Sequence, residues 1–301
     1  MSNADNPLEE TAARSTAPHM SRFPLPAADR VLLKYGAATH VGKVRTRNED
    51  HYAVTCRRRS REILATNVPF QSADMPADEA HVLVVADGVG GEGFGDRASE
   101  LAVRAGWDST TRSASWPMRL DGIDYEEIER QVAAVAQAIQ QAFRTRCHES
   151  PHFAGMATTW TCAYIVGWDA IIAHVGDSRA YHCHDNQATQ ITRDHTLAEE
   201  LRKSGMGGGR ANKFHSVLTK AFGGESEEVA PDIHQLHLKD GEAVLLCTDG
   251  LSNTVTDEEI GRVVFEHAEP QQACDALIAL ALDRGAPDNV TVVLARVFPK
   301  Q

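Results

Sequence analysis

The sequence has little of what marks several common protein classes. Its six cysteines, Cys56, Cys147, Cys162, Cys183, Cys247 and Cys274, are scattered, and none forms a C-x-x-C pair. That spacing excludes a zinc ribbon or a dense disulfide framework and reads as reduced, mostly buried thiols in a cytoplasmic protein. No apolar run approaches the ~18 residues of a membrane-spanning helix, and the N-terminus carries no basic-then-apolar leader. Positive charge is scarce: 30 Lys and Arg stand against 42 Asp and Glu, a formal net charge of -12. An acidic chain binds nucleic acid and anionic membranes poorly, so neither is expected as a partner. The surplus carboxylates leave ligands to spare for metal.

Residues 1–30 are polar, rich in Pro and Ala and aperiodic, which predicts a disordered lead-in. Residues 31–299 are long enough to bury a core as one domain. Strand patterns at "KYGAATHVG", "DHYAVTC" and "HVLVVAD" are followed by two helical stretches, "DRASELAVRAGWDS" and "DYEEIERQVAAVAQAIQQAFRTR". In the second, Ile128, Val132, Val135, Ile139 and Phe143 recur at helical spacing, and Asp124 with Glu127 suggests a capping box. The middle, "TTWTCAYIVGWDAIIAHVGDSRAYHCH", alternates and turns at Gly167–Asp169 and Gly176–Asp177. A helix at "TLAEELRKSG", strands at "IHQLHL" and "AVLLCTD", helices over 256–266 and 270–283, and a strand "NVTVVLARV" complete the chain. Thr256 with Glu259 is a second capping box, and Gly285 a helix stop. Strands and helices come in blocks, which favours an antiparallel α+β layered domain over a doubly wound sheet.

Five short acidic stretches stand out: "RTRNED" (45–50), "ADGVGG" (86–91), "GDSRAY" (176–181), "CTDGL" (247–251) and "PDNVTV" (287–292). Four put an aspartate at or beside an apolar strand end; the fifth puts one just before a strand begins. Carboxylates on rigid strand ends suit hard cations, and a following glycine lets a backbone carbonyl approach the ion. Singly, each stretch is also an ordinary Asp-Gly or Gly-Asp turn. The glycine-rich run from Gly88 to Gly95 is not a dinucleotide fingerprint, since the acidic strand end that should follow ~20 residues on is missing. It is not a phosphate loop either, because that loop's lysine is absent.

Together and in order, the five stretches resemble the signature of the metal-dependent Ser/Thr protein phosphatases of type 2C, in its bacterial form. "GMATTWTCAYIV", "ITRDHTLAEEL", "VLTKAFGG" and "GEAVLLCTDGLSNTVTDEEI" resemble further family segments, and the likeness runs from about residue 34 to 297. The resemblance implies a four-layer αββα sandwich of two antiparallel β-sheets flanked by helix pairs, with a metal cleft at one end. It implies hydrolysis of phosphoserine and phosphothreonine in proteins by a metal-bridged hydroxide, in a centre of two Mn²⁺ or Mg²⁺ ions. Asp87 would bridge the ions and the Gly88 carbonyl would bind one of them. Asp249 and Asp288 would hold the other. Asp50, and Glu49 beside it, would hold metal-bound waters or ligate from the first strand. Asn289 would support Asp288, Asp177 would help hold a third, weaker ion with Asp249, and Arg45 would bind phosphate. The implied partners are phosphorylated proteins, substrates of a Ser/Thr kinase, and the chain is expected to act as a monomer.

Two departures bear on chemistry. Val89 stands where many eukaryotic relatives carry a histidine acid, which leaves the leaving-group acid unassigned. Asp96 stands where a glutamate is usual. The segment after the "DHT" helix, "MGGGRANKFHS", is short and glycine-rich for a substrate flap, with Lys213 and His215 as candidate substrate contacts. His174, His182, Cys183 and His184 cluster in sequence and could suggest zinc, although exposed strand histidines explain them as well. "CRRRSR" reads as a solvated hairpin tip or a basic patch for acidic partners. Two other functions compete: a non-catalytic phosphoprotein-binding scaffold or sensor, which predicts loss of a metal carboxylate or of the arginine, and a phosphatase for a small metabolite, which predicts a deep closed pocket.

Overall fold

The computed structural model describes residues 31–59, 64, 65, 67, 78–90, 94–112, 125–205, 214–223 and 228–300. The expected lead-in, Asp124 of the first capping box, and Lys213 with most of the glycine-rich flap lie outside them.

Two antiparallel sheets stack face to face. The first has the order β1 (Val31–His40), β12 (Val290–Pro299), β11 (Ala243–Cys247), β7 (Arg179–His184) and β8 (Gln187–Gln190). The second runs β10 (Asp232–His237), β6 (Asp169–Val175), β5 (Trp160–Val166) and β3 (Asp78–Val89), with β2 (Asp50–Arg59) hydrogen-bonded to β3 and short β4 (Ala157–Thr158) and β9 (Phe222–Gly223) beside it. α1 (Gly95–Arg112) and α2 (Tyr125–Glu149) cover the second sheet, α3 (Leu197–Lys203) forms at the expected "TLAEELRKSG", and α5 (Asp257–Glu266) and α6 (Pro270–Asp283) cover the first. The fold is the four-layer αββα arrangement implied by the resemblance.

Three apolar layers hold it together. β12 shows why its sequence reads as an unbroken apolar run: Val292 and Leu294 pack on the α5/α6 side, and Val293 and Ala295 point between the sheets. Leu83, Val85, Ile165, Ile172, Val244 and Leu246 meet them in the middle layer. Ile128, Val132, Val135, Ile139 and Phe143 all lie buried along α2, as their spacing predicts. Each such buried aliphatic or aromatic side chain contributes about 1.5–3 kcal/mol.

The Thr256 box closes in both directions: Glu259 N donates to Thr256 Oγ1 at 3.4 Å, and Thr256 N donates to Glu259 Oε2 at 3.1 Å. Gly285 follows α6 with φ +99°, a left-handed stop suited to glycine. Two features were not anticipated. β8 forms a hairpin with β7 through Asp185 and Asn186 at φ 50° and 61°, the left-handed pair of a two-residue turn. A one-turn helix, α4 (Asp249–Ser252), starts on Asp249 itself. Cys56–Arg59 continue β2 in register with Asp78–His81 and are not a hairpin tip.

Candidate metal centre

One end of the sandwich gathers the acidic strand ends. Asp50 opens β2 and stands opposite Asp87 in the β2–β3 register. Asp177 sits in the turn that carries the chain from β6 in one sheet to β7 in the other. Asp249 follows β11, and Asp288 precedes β12. All five expected aspartates therefore come from different strand ends and converge.

Their charges act on one another. Asp87 is pushed well above the usual carboxylate range, first by burial and then by Asp50, Asp249, Asp177 and Asp288. Burial pushes Asp50 up to about 7, against hydrogen bonds from Thr291 and Thr248. Burial, then Asp249 and Asp194, push Asp177 up to about 8. Asp249 is raised by burial and by Asp288. Asp50 Oδ1 and Asp249 Oδ1 are buried with no hydrogen-bond partner. Buried acceptors without donors are costly, and buried like charges more so. An all-oxygen donor set with two orphaned oxygens fits a hard divalent cation.

The surroundings hold these carboxylates in place. Asp50 Oδ2 accepts from Thr248 Oγ1 at 2.8 Å and from Thr291 Oγ1 at 2.7 Å, both buried. The main chain of Asp87 is clamped by Thr158 Oγ1, which donates to its carbonyl at 2.7 Å, and by its own N–H, which donates to Thr159 Oγ1 at 2.9 Å. At Gly88 the close approach is real: a Cβ there would lie 1.9 Å from the Gly95 carbonyl oxygen, so any side chain would push away the start of α1. Asp177 hangs on Gly176, whose N–H donates to His195 Nδ1 at 3.1 Å while His195 N donates to its carbonyl at 2.7 Å. His195 Nε2 lies 3.1 Å from Asp232 on β10.

Arg45 reaches the same place from the loop before β2. Its Nη2 donates to Asp288 Oδ2 at 2.7 Å, with the side chain half exposed. Asn289 supports Asp288 by donating its main-chain N–H to Oδ1 at 2.9 Å. The Asn289 side chain holds the loop of Arg45 instead, accepting from Glu49 N and donating to the carbonyls of Val41 and Arg47. Glu49 faces the start of α1, its carboxyl within 3 Å of where a Gly95 Cβ would stand. Burial raises its pKa, and Arg45 pulls it down. Val89 is exposed, and Asp96 pairs with Arg47 at 2.8 Å.

Thr248, Thr291, Thr158, Thr159 and Ser178 were not singled out from sequence. The signal was present, because threonine precedes the aspartate in "CTDG" and follows the asparagine by two in "DNVT". Beside Asp177 and Asp249 lies a polar cleft of about 300 Å³, also lined by Arg179, Asp194, Arg202, His215 and Asn253. His215 thus faces the acidic cluster. The other sequence-level metal candidate is not brought together: His182 and His184 stack at 4.5 Å and His182 meets Glu242 at 2.8 Å, while Cys183 points the other way into the α5/α6 core.

An αββα sandwich with acidic strand ends gathered at one end defines a divalent-metal phosphatase architecture. Residues 55–290 match the family model described as Protein phosphatase 2C. The serine/threonine phosphatase stp of Listeria welshimeri is 30% identical over 259 residues, covering 85% of this chain and 92% of that one. The catalytic domain of the serine/threonine protein phosphatase PstP in complex with two manganese ions superposes with a TM-score of 0.68 at 29% identity, covering 89% of this chain and 99% of that one. Stp1 of Staphylococcus aureus superposes with a TM-score of 0.71 at 27% identity, covering 88% and 95%. The chain belongs to the protein phosphatase 2C family, and it is a metal-dependent serine/threonine phosphatase of the bacterial type.

Proposed function

We propose that this enzyme removes phosphate from phosphoserine and phosphothreonine in protein substrates of a Ser/Thr kinase, with two Mn²⁺ or Mg²⁺ ions as cofactors. The observation that carries this is the convergence of five aspartates, two with orphaned buried oxygens, beside one half-exposed arginine. Asp87 would be shared by the two ions, and the Gly88 carbonyl would serve one of them. Asp249 and Asp288 would hold the other, and Asp177 with Asp249 would help hold a weaker third. Asp50, fixed by two threonines, would ligate or hold water at the ions, with Glu49 beside it. When bound, the ions supply positive charge toward the phosphoryl oxygens and acidify a nucleophilic water.

The chain's own residues do the rest. Arg45 offers a planar fork to two phosphoryl oxygens and so sets the orientation of the ester. Its pairing with Asp288 keeps the guanidinium aimed at the cluster rather than at solvent. His215 and Arg202 line the adjoining cleft and contact the substrate beside the phosphorylated residue. Residues 31–299 act as a single catalytic domain in the cytoplasm.

The test is hydrolysis of phosphothreonine and phosphoserine peptides with Mn²⁺, with Mg²⁺ and with a chelator. Metal-dependent turnover that the chelator abolishes is expected. Peptide binding without turnover would favour a scaffold, and turnover confined to small phosphate esters would favour a metabolite enzyme.

A further inference from the structure

The β2–β3 register lays down one row of cross-strand pairs that starts at the acidic cluster: Asp50 with Asp87, Tyr52 with Val85, Val54 with Leu83, Cys56 with His81, Arg58 with Glu79. Because strand side chains alternate, every pair in this row shares one face. Val54 and Leu83 pack into the layer between the sheets. Two residues further on, the row leaves the core and turns chemical again. A Cys56 sulfur, a Glu79 carboxylate oxygen and a His81 ring nitrogen all lie within 4.8 Å of one another. Six residues of strand, about 20 Å, separate this group from Asp50.

We propose that Cys56, Glu79 and His81 form a second metal site, for Zn²⁺ or a similar borderline cation, independent of the phosphatase centre. The donor set is the reason. Thiolate, imidazole and carboxylate together suit zinc, whereas the all-oxygen cluster at the other end suits Mn²⁺ or Mg²⁺. One thiolate and one carboxylate match the charge of a divalent ion, and the fourth tetrahedral position stays open to water. Tetrahedral zinc sets its ligand atoms about 3.3–3.8 Å apart, so small side-chain rotations on two paired strands close the group. Rigid placement on paired strands, rather than on a loop, limits the ordering cost. Glu79 keeps an oxygen available, since Arg58 Nε donates to Oε1 alone at 2.9 Å. Burial holds His81 toward its neutral, ligating form. Cys56 is exposed and the other two are partly so, which leaves the site an entry path. On binding, the thiol proton passes to solvent and sulfur donates to the metal, with no change of oxidation state.

The experiment uses the full chain, its phosphatase centre loaded with Mn²⁺, titrated with Co²⁺ as a spectroscopic stand-in for Zn²⁺. A cobalt–thiolate charge-transfer absorption saturating at one Co²⁺ per chain is expected, and Zn²⁺ should displace it. Oxygen ligands of the phosphatase centre cannot produce that absorption. Cys56→Ser should abolish it, His81→Gln should weaken Co²⁺ binding at least ten-fold, and both variants should retain Mn²⁺-dependent turnover. Absence of the absorption in the wild-type chain at saturating Co²⁺ would overturn the proposal. So would its survival in Cys56→Ser, which would assign it to another thiol.

Discussion

Arg45 donates to Asp288 across 243 residues of sequence, at 2.7 Å. The pair joins the side chain proposed for phosphate to one proposed for metal. On that proposal the same carboxylate would serve two cations, the guanidinium and the ion, and substrate binding and metal binding would be linked through it. Arg45→Ala should raise KM for a phosphothreonine peptide, and kcat/KM should fall ten- to a hundred-fold, the range expected for a charged hydrogen bond of about 1.5–3 kcal/mol. Mn²⁺ affinity should be unchanged or higher, because a competing cation is gone. Asp288→Ala should weaken both. Steady-state kinetics together with calorimetric Mn²⁺ titration checks this; unchanged peptide kinetics in Arg45→Ala would assign phosphate binding elsewhere.

The threonines around Asp50 carry a second prediction. Thr291 Oγ1 and Thr248 Oγ1 both donate to Asp50 Oδ2, so both favour the ionised carboxylate that a cation needs. Thr291→Val keeps the shape and removes one donor. Mn²⁺ affinity should drop about ten-fold, one charged hydrogen bond's worth, while the fold survives as judged by circular dichroism. Thr248→Val should add a stability loss, since Thr248 Oγ1 also accepts from Thr291 N at 3.0 Å. Mn²⁺ binding that is indifferent to Thr291→Val would remove Asp50 from the metal environment.

Much of this was legible in sequence, for physical reasons. Helix α2 declared itself through five apolar residues on one stripe, and α5 through a side-chain cap with its reciprocal glutamate. Both are local signals. The aspartates were legible because strand–Asp–Gly punctuates a run. What stayed hidden was nonlocal: that Asn289 would hold the Arg45 loop, that Thr248 and Thr291 would face Asp50, and that His195 would clamp Gly176. Each depends on which strands become neighbours, and no window of sequence contains both partners. β8 was missed because Gln187–Gln190 is a polar edge strand whose pattern resembles a loop, although Asp185-Asn186 is a turn pair.

The acidic cluster also sets a pH dependence. Asp50 and Asp177 titrate at about 7 and about 8 when folded, above the usual carboxylate value of about 4 in an unfolded chain. The folded state therefore binds more protons between pH 4 and 8, and their contribution to stability is lost as pH rises through that window. His174, buried and pushed down to about 3, works the other way and costs stability as pH falls from about 6.5 toward 3. In chelator, melting temperature should decline from about pH 7.5 to 8.5, above the range in which the histidines of the unfolded chain still bind protons. Mn²⁺ replaces the protons, so the melting-temperature gain on adding Mn²⁺ should be larger at pH 8 than at pH 5.5. Asp177→Asn should flatten the chelator profile. Thermal scans at the two pH values decide it; an Mn²⁺ gain independent of pH would mean that the cluster does not bind the ion.

Asp177 separates structure from catalysis. Its turn is held by others: His195 grips both the N–H and the carbonyl of Gly176, and Asp232 sits against the far side of the same ring. Ser178, next in the chain, bonds to Thr159 Oγ1 at 2.7 Å and is wholly buried. The turn therefore does not depend on the Asp177 carboxylate, which instead suffers from burial and from Asp249. Asp177→Ala removes that repulsion along with the proposed ligand. Melting temperature in chelator should stay the same or rise slightly, whereas kcat should fall and the Mn²⁺ concentration for half-maximal activity should increase several-fold. His195→Ala gives the contrasting pattern, because it loosens the turn: lower melting temperature together with weaker Mn²⁺ activation. The two variants, each measured by thermal scan and by Mn²⁺-dependent turnover, distinguish a ligand from the residue that positions it. A destabilised Asp177→Ala with normal turnover would reduce Asp177 to a turn cap.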